Sequence, residues 1–180
     1  LTKKREEKSS LKLWGNMKTL AIVISIFILM FMVYSTNVFK AYFMSDKYYE
    51  SIFEGNFDPS IKGASVKINL KHKYDAEYSL FITVPEHLSV ELRTEKEVLH
   101  YKFVSNGKTL KEGLTDSPFG AMGYSSSHDN YCSALLLNFI LPYPGASGDV
   151  TLELKSENPM SSLHKYEGEI MISIMPASLK

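Results

Sequence analysis

Between Lys18 and Lys40 the chain carries no charged residue, a run of 21 positions. At a rise of about 1.5 Å per residue, a helix of that length covers the hydrocarbon core of a bilayer. The centre of the run, LAIVISIFILMFMVY from Leu20 to Tyr34, is apolar on every side. A helix packed on a soluble core would show a polar stripe facing water. A cleaved secretory leader also starts basic, but its apolar region is shorter and ends in small residues. Here the run ends in VYSTNVFKAYF, where Val33, Tyr34, Val38 and Phe39 leave no small-residue cleavage pattern. The single cysteine, Cys132, lies far downstream and offers no lipoprotein-type anchor. The run predicts an uncleaved transmembrane helix over residues 19–39.

The flanks of that helix set its orientation. Residues 1–18 hold six basic and two acidic side chains, a net +4; residues 41–180 hold thirteen basic and eighteen acidic, a net −5. Lys and Arg are retained on the cytoplasmic side, so 1–18 reads as a cytoplasmic basic tail and the C-terminal domain as periplasmic or otherwise extracytoplasmic. Trp14, Tyr34, Tyr42 and Phe43 fall where aromatic rings settle at the membrane–water interfaces. No Asn-x-Ser/Thr sequon occurs, which favours a bacterial inner membrane over a glycosylated cell surface. Residues 40–63 read as an aromatic-rich juxtamembrane stalk, in which Tyr49, Ile52 and Phe53 have helical spacing. Gly55 and Pro59 break any helix there.

Beyond Gly63 the apolar period changes to two. SVKINLK places Val66, Ile68 and Leu70 on one face, EYSLFITV aligns Tyr78, Leu80, Ile82 and Val84, and DVTLELK aligns Val150, Leu152 and Leu154. These are strands with one face on a core and one in water. LHYKFVSNGKTLKEGL reads as a hairpin about Asn106-Gly107. CSALLLNFIL suits a central strand, and YEGEIMISIM a closing one with Ile170, Ile172 and Ile174 inward. EHLSVELRTEKEV is ambiguous, one reading being a strand at Leu88–Leu92 followed by a helical turn. The expected fold is mainly β: an immunoglobulin-like antiparallel β-sandwich over residues 64–180, behind a single N-terminal transmembrane helix. With one cysteine the domain has no internal disulfide, and Cys132 reads as a small buried hydrophobe.

The candidates for chemistry are few. The polar loop TDSPFGAMGYSSSHDNY (115–131) holds Ser125, Ser126, Ser127, His128 and Asp129 in one stretch. Triad members converge from separate segments, and no G-x-S-x-G elbow is present. The five histidines have no metal-ligand spacing, and GKTLKEG lacks the glycine-rich loop of a phosphate-binding lysine. The expectation is therefore no enzyme, no metal and no cofactor. The mildly acidic exterior argues against nucleic acid. Sandwich-end loops commonly contact partners from a rigid scaffold. Phe119, Met122 and Tyr124, with His128 and Asp129, are the partner-binding candidates.

The stretch NFILPYPGASGDVTLELKSENP runs from a strand through LPYPG into an alternating strand. With the preceding anchor, the 64–176 region resembles uncharacterised bacterial envelope β-sandwich families. The resemblance implies a single-pass, membrane-anchored extracytoplasmic module that binds another protein, one form being an immunity protein that neutralises a delivered antibacterial effector. The alternative is a structural or accessory subunit of a cell-envelope or secretion complex. The partners expected are the bilayer, through residues 19–39, and a second protein, with room for a homo-oligomer.

Overall fold

The structure is a computed structural model that describes residues 2–85, 89–118, 124–125 and 131–178. It divides into two compact units, Leu1–Tyr48 and Tyr49–Lys180.

The first unit is helical: α1 (Thr2–Ser35), α2 (Asn37–Phe43) and α3 (Ser45–Tyr48). Hydroxyls break α1 from α2. Ser35 Oγ donates to the Met32 carbonyl and Thr36 Oγ1 to that of Val33, both at 2.8 Å. Thr36 leaves helical geometry (φ −71°, ψ 146°), and its side chain caps α2 by accepting from the Phe39 amide at 3.2 Å. The axis turns by 74° between Thr19–Ser35 and Asn37–Phe43. The expected single helix over 19–39 is thus corrected to a helix ending at Ser35, a bend, and a second short helix.

The second unit is a two-layer β structure. Its strands are β1 (Phe53–Asn56), β2 (Ser65–Leu70), β3 (Ala76–Pro85), β4 (His100–Ser105), β5 (Lys108–Leu114), β6 (Tyr124–Ser125), β7 (Tyr131–Leu141), β8 (Val150–Lys155) and β9 (Met171–Pro176). One sheet has the order β1-β9-β3-β7-β6 and the other β2-β8-β4-β5, with every pairing antiparallel. Apart from the two-residue β6, each sheet has four strands, and successive strands lie in opposite sheets except at β4–β5 and β6–β7. That is jelly-roll order. The β-sandwich expectation stands, and the immunoglobulin-like layout does not: there the first two strands share a sheet, whereas β1 and β2 lie in different sheets.

The core lies between the sheets. Tyr78, Leu80, Ile82 and Val84 of β3, Leu152 and Leu154 of β8, and Ile172 and Ile174 of β9 are buried, as the two-residue period requires. Cys132 is buried as expected. Three other readings shift. Residues 53–56 form strand β1, in register with β9 from Phe53↔Ile174 to Asn56↔Met171, so the β unit starts well before residue 64. The central strand is β3; β7 lies next to the sheet edge, with Ile140 56% exposed. The strand reading of Leu88–Leu92 fails from residue 89 onward, where Ser89–Thr94 forms helix α4; Leu88 lies outside the described residues. Glu95 ends α4, its Oε1 accepting from the Lys96 and Glu97 amides at 3.1 Å, while Ser162 of a 3₁₀ helix (Ser161–Tyr166) donates to Oε2. The Asn106-Gly107 hairpin is as expected, with φ of 48° and 76°.

Candidate functional site

The most extensive chemical anomaly is the surface of α1. From Leu20 to Tyr34 every large apolar side chain is exposed, from 42% at Val23 to 72% at Phe31. Isolated apolar side chains on a surface are ordinary, but an unbroken apolar cylinder is not. Ser25, within it, donates to the Ala21 carbonyl at 2.8 Å, so its hydroxyl needs no water. Among the described residues no single helix is long and apolar enough to cross a membrane; Thr19–Ser35 and Asn37–Phe43 pass that test together, as a bent pair. At the bend, Tyr34 packs on Phe39 with ring centroids 5.3 Å apart, and Phe39 stacks on Phe43 at 4.7 Å. Tyr34, Tyr42 and Phe43 are 51%, 77% and 75% exposed, an aromatic cluster around the break. Trp14 belongs to α1, and its side chain lies outside the described residues.

The expected partner-binding residues Phe119, Met122, His128 and Asp129 also lie outside the described residues. Tyr124 is placed by its backbone alone, opposite Ser133 in the short β6–β7 pairing. The entry to that loop is secured: the Asp116 amide donates to the Leu136 carbonyl at 2.8 Å and Ser117 Oγ to the Glu95 carbonyl at 2.8 Å.

Folding brings together one serine, histidine and aspartate that no local pattern links. Ser60 Oγ donates to Asp58 Oδ1 at 2.6 Å and lies 3.4 Å from His164 Nδ1. The order is wrong for a nucleophile, because the carboxylate holds the serine instead of orienting the histidine. Ser60 is 8% exposed and its amide also donates to Asp58 Oδ1, which makes the trio a turn lock. Among the described residues no group of three or more His, Cys, Asp or Glu side chains is placed to hold a metal ion.

A cleft of about 540 Å³ opens at the end of the β unit where β2 and β7 finish and β8 begins. Leu70, Leu141 and Val150 floor it, each under 8% exposed. Tyr143 forms one wall, its ring stacked on Phe103 at 4.6 Å. Burial raises the Tyr143 phenol's pKa, so it remains a neutral donor at physiological pH. The rim carries Asn69, Lys71, His72 and Asp149. Asn69 Oδ1 accepts from Thr151 Oγ1 at 3.1 Å, which leaves its amide nitrogen to donate. His72 Nε2 is tied to Asp75 Oδ1 at 2.5 Å, and neighbouring Lys73 to Glu50 at 2.5 Å. Lys71 and Asp149 have no such partner among the described residues. The alternation of SVKINLK and DVTLELK assigns both to solvent faces, so only the meeting of three strand ends marks them as a site.

No family model matches the chain, and no curated protein sequence matches it. Among solved structures it is similar to a protein from Sulfurospirillum deleyianum (8% identity, TM-score 0.47, 71% of this chain and 98% of that one). It is also similar to the insecticidal delta-endotoxin Cry8Ea1 from Bacillus thuringiensis (17%, 0.26, 63% and 18%) and to a family 35 carbohydrate binding module from an environmental isolate (16%, 0.30, 73% and 82%). At these scores no role passes from them to this chain.

Proposed function

We propose that the chain is a single-pass, membrane-anchored module of the bacterial inner membrane whose β-sandwich works outside the cytoplasm and binds another protein. The observation that carries the anchor is the exposed apolar cylinder of α1. At about 25 cal/mol per Å² of apolar surface removed from water, such a helix gains far more from hydrocarbon than from solvent. The internally bonded hydroxyls of Ser25, Ser35 and Thr36 lower the cost of placing them in or near lipid. The basic flank at 1–18 directs the N-terminus inward. The binding role rests on the same anchor, which presents a compact β unit from a membrane. In an immunity protein the bound partner would be a delivered effector.

Topology tests the reading directly. The full chain should stay with membranes through an alkaline carbonate wash. A reporter active only in the cytoplasm should be silent when fused after Lys180 and active when fused before Leu1. Release by carbonate would overturn the anchor, and a working C-terminal reporter would overturn the orientation. Affinity capture of the full chain from mild detergent should recover a protein partner that a chain lacking the β unit does not; equal recovery by both would overturn the binding role.

A further inference from the structure

We infer that the cleft between the ends of β2, β7 and β8 is a site for a small zwitterion with an apolar body, of the class of an apolar amino acid or dipeptide. Three observations meet there. The floor of Leu70, Leu141 and Val150 and the wall of Tyr143 offer an apolar bed to a ligand body. The volume of about 540 Å³ lies within the range of small-molecule clefts. The rim then carries one unpaired charge of each sign. Leu70↔Val150 is the last rung of the β2–β8 ladder, so Lys71 and Asp149 are the next residue on each strand end. Beyond the ladder these two flank the mouth without closing an ion pair on each other.

The neighbouring charges sharpen the assignment. His72 and Lys73, the other basic residues of the segment, are committed to Asp75 and Glu50. Among the lining residues the rim therefore offers one unpaired cation and one anion, with Lys111 acting on the Tyr143 phenol from outside the lining; this suits a ligand carrying both signs better than a multiply charged anion such as a nucleotide. The ligand's anionic end would face Lys71, its ammonium Asp149, and its apolar side chains the floor. The Asn69 amide and the neutral Tyr143 hydroxyl are further donors on the lining. Because Lys71 and Asp149 are exposed, each charge contact is screened and modest, and selectivity comes from reading both ends at once.

The test is titration calorimetry of the full chain in detergent micelles with four probes: leucyl-leucine, its N-acetyl derivative, its C-terminal amide, and maltose. Leucyl-leucine should bind saturably, and blocking either end should weaken it by about tenfold, about 1.4 kcal/mol. Lys71→Met should erase the difference between leucyl-leucine and its amide while keeping the penalty for acetylation. Asp149→Asn should do the reverse. This crossed pattern separates charge reading from loss of fold, which would weaken every probe alike. Three results would overturn the inference: no saturable binding of leucyl-leucine up to its solubility limit, equal affinity for the acetylated peptide, which would mark a reader of protein C-termini, or tighter binding of maltose. The readout is independent of membrane topology, so the cleft and the anchor fail separately.

Discussion

Leu152 is fully buried on β8, opposite Ile68 on one side and Phe103 on the other. Neither neighbour can collapse into the gap without leaving its own strand. Leu152→Ala should therefore cost about 2–5 kcal/mol, read as a lower urea midpoint of a soluble β unit. Ser105 is the opposite case. Its hydroxyl is 3% exposed as a residue, and Oγ has no hydrogen-bond partner among the described residues. A buried polar group left unpaired costs stability, so Ser105→Ala should be neutral or stabilising by up to about 1 kcal/mol. A loss of more than that would mean the hydroxyl is bonded in solution. Leu152 sits in an evident alternation, but Ser105 occupies an inward position of β4 directly before the hairpin, where serine reads as a turn residue.

Helix α4 and the 3₁₀ helix are joined by Glu91 and Lys165, whose charged atoms lie 2.5 Å apart, and by the Ser162 bond to Glu95. The Lys165 hydrogen bond holds the Glu91 carboxyl below its ordinary value of 4.5. Reciprocally, the Glu91 hydrogen bond raises the Lys165 ammonium above 10.5. The glutamate's contribution is complete above 4.5 and disappears as pH falls through its lowered value. The lysine's is complete below 10.5 and disappears as pH rises through its raised value. Glu91→Gln should thus lower the melting temperature slightly at neutral pH, with the gap to the parent closing in acid and in high salt. A gap of constant size from neutral to strongly acidic pH would show that Glu91 acts by packing. The sequence leaves this element ambiguous between strand and helix because VEL alternates over three residues, too short a window for period two and period 3.6 to differ.

At the scale of the whole chain, the boundary between the helical unit and the β unit decides what can be cut. A fragment starting at Gly63 loses β1, the Ile52 amide bond to the Ile174 carbonyl (2.8 Å) and the buried Phe57. It also turns β9, with Ile172 and Ile174, into a sheet edge. Residues 49–180 should be soluble, β-rich in far-ultraviolet dichroism and monomeric by light scattering. Residues 63–180 should melt at lower temperature or aggregate through that edge. Equal melting temperatures for the two fragments would show that β1 is dispensable.

Two things followed from the sequence alone, because both are local. A 21-residue run without charge, apolar on every side, has no polar stripe to turn to water, so the exposed apolar stretch of α1 needed only composition and length. The strands of Ile68, Ile82, Leu152 and Ile172 followed from a period that repeats every two residues. Pairing is not local. Val66 alternates in the same way whether β2 joins β1's sheet or the opposite one, so jelly-roll order emerged only from which faces close on each other. β1 was hidden for the same reason: Phe53 and Gly55 carry almost no periodic signal, and their strand is imposed by β9's open edge. The cleft belongs wholly to tertiary structure. Lys71, Tyr143 and Asp149 are surface residues on three separate segments until Leu70, Leu141 and Val150 end their strands at one place and leave a gap between them.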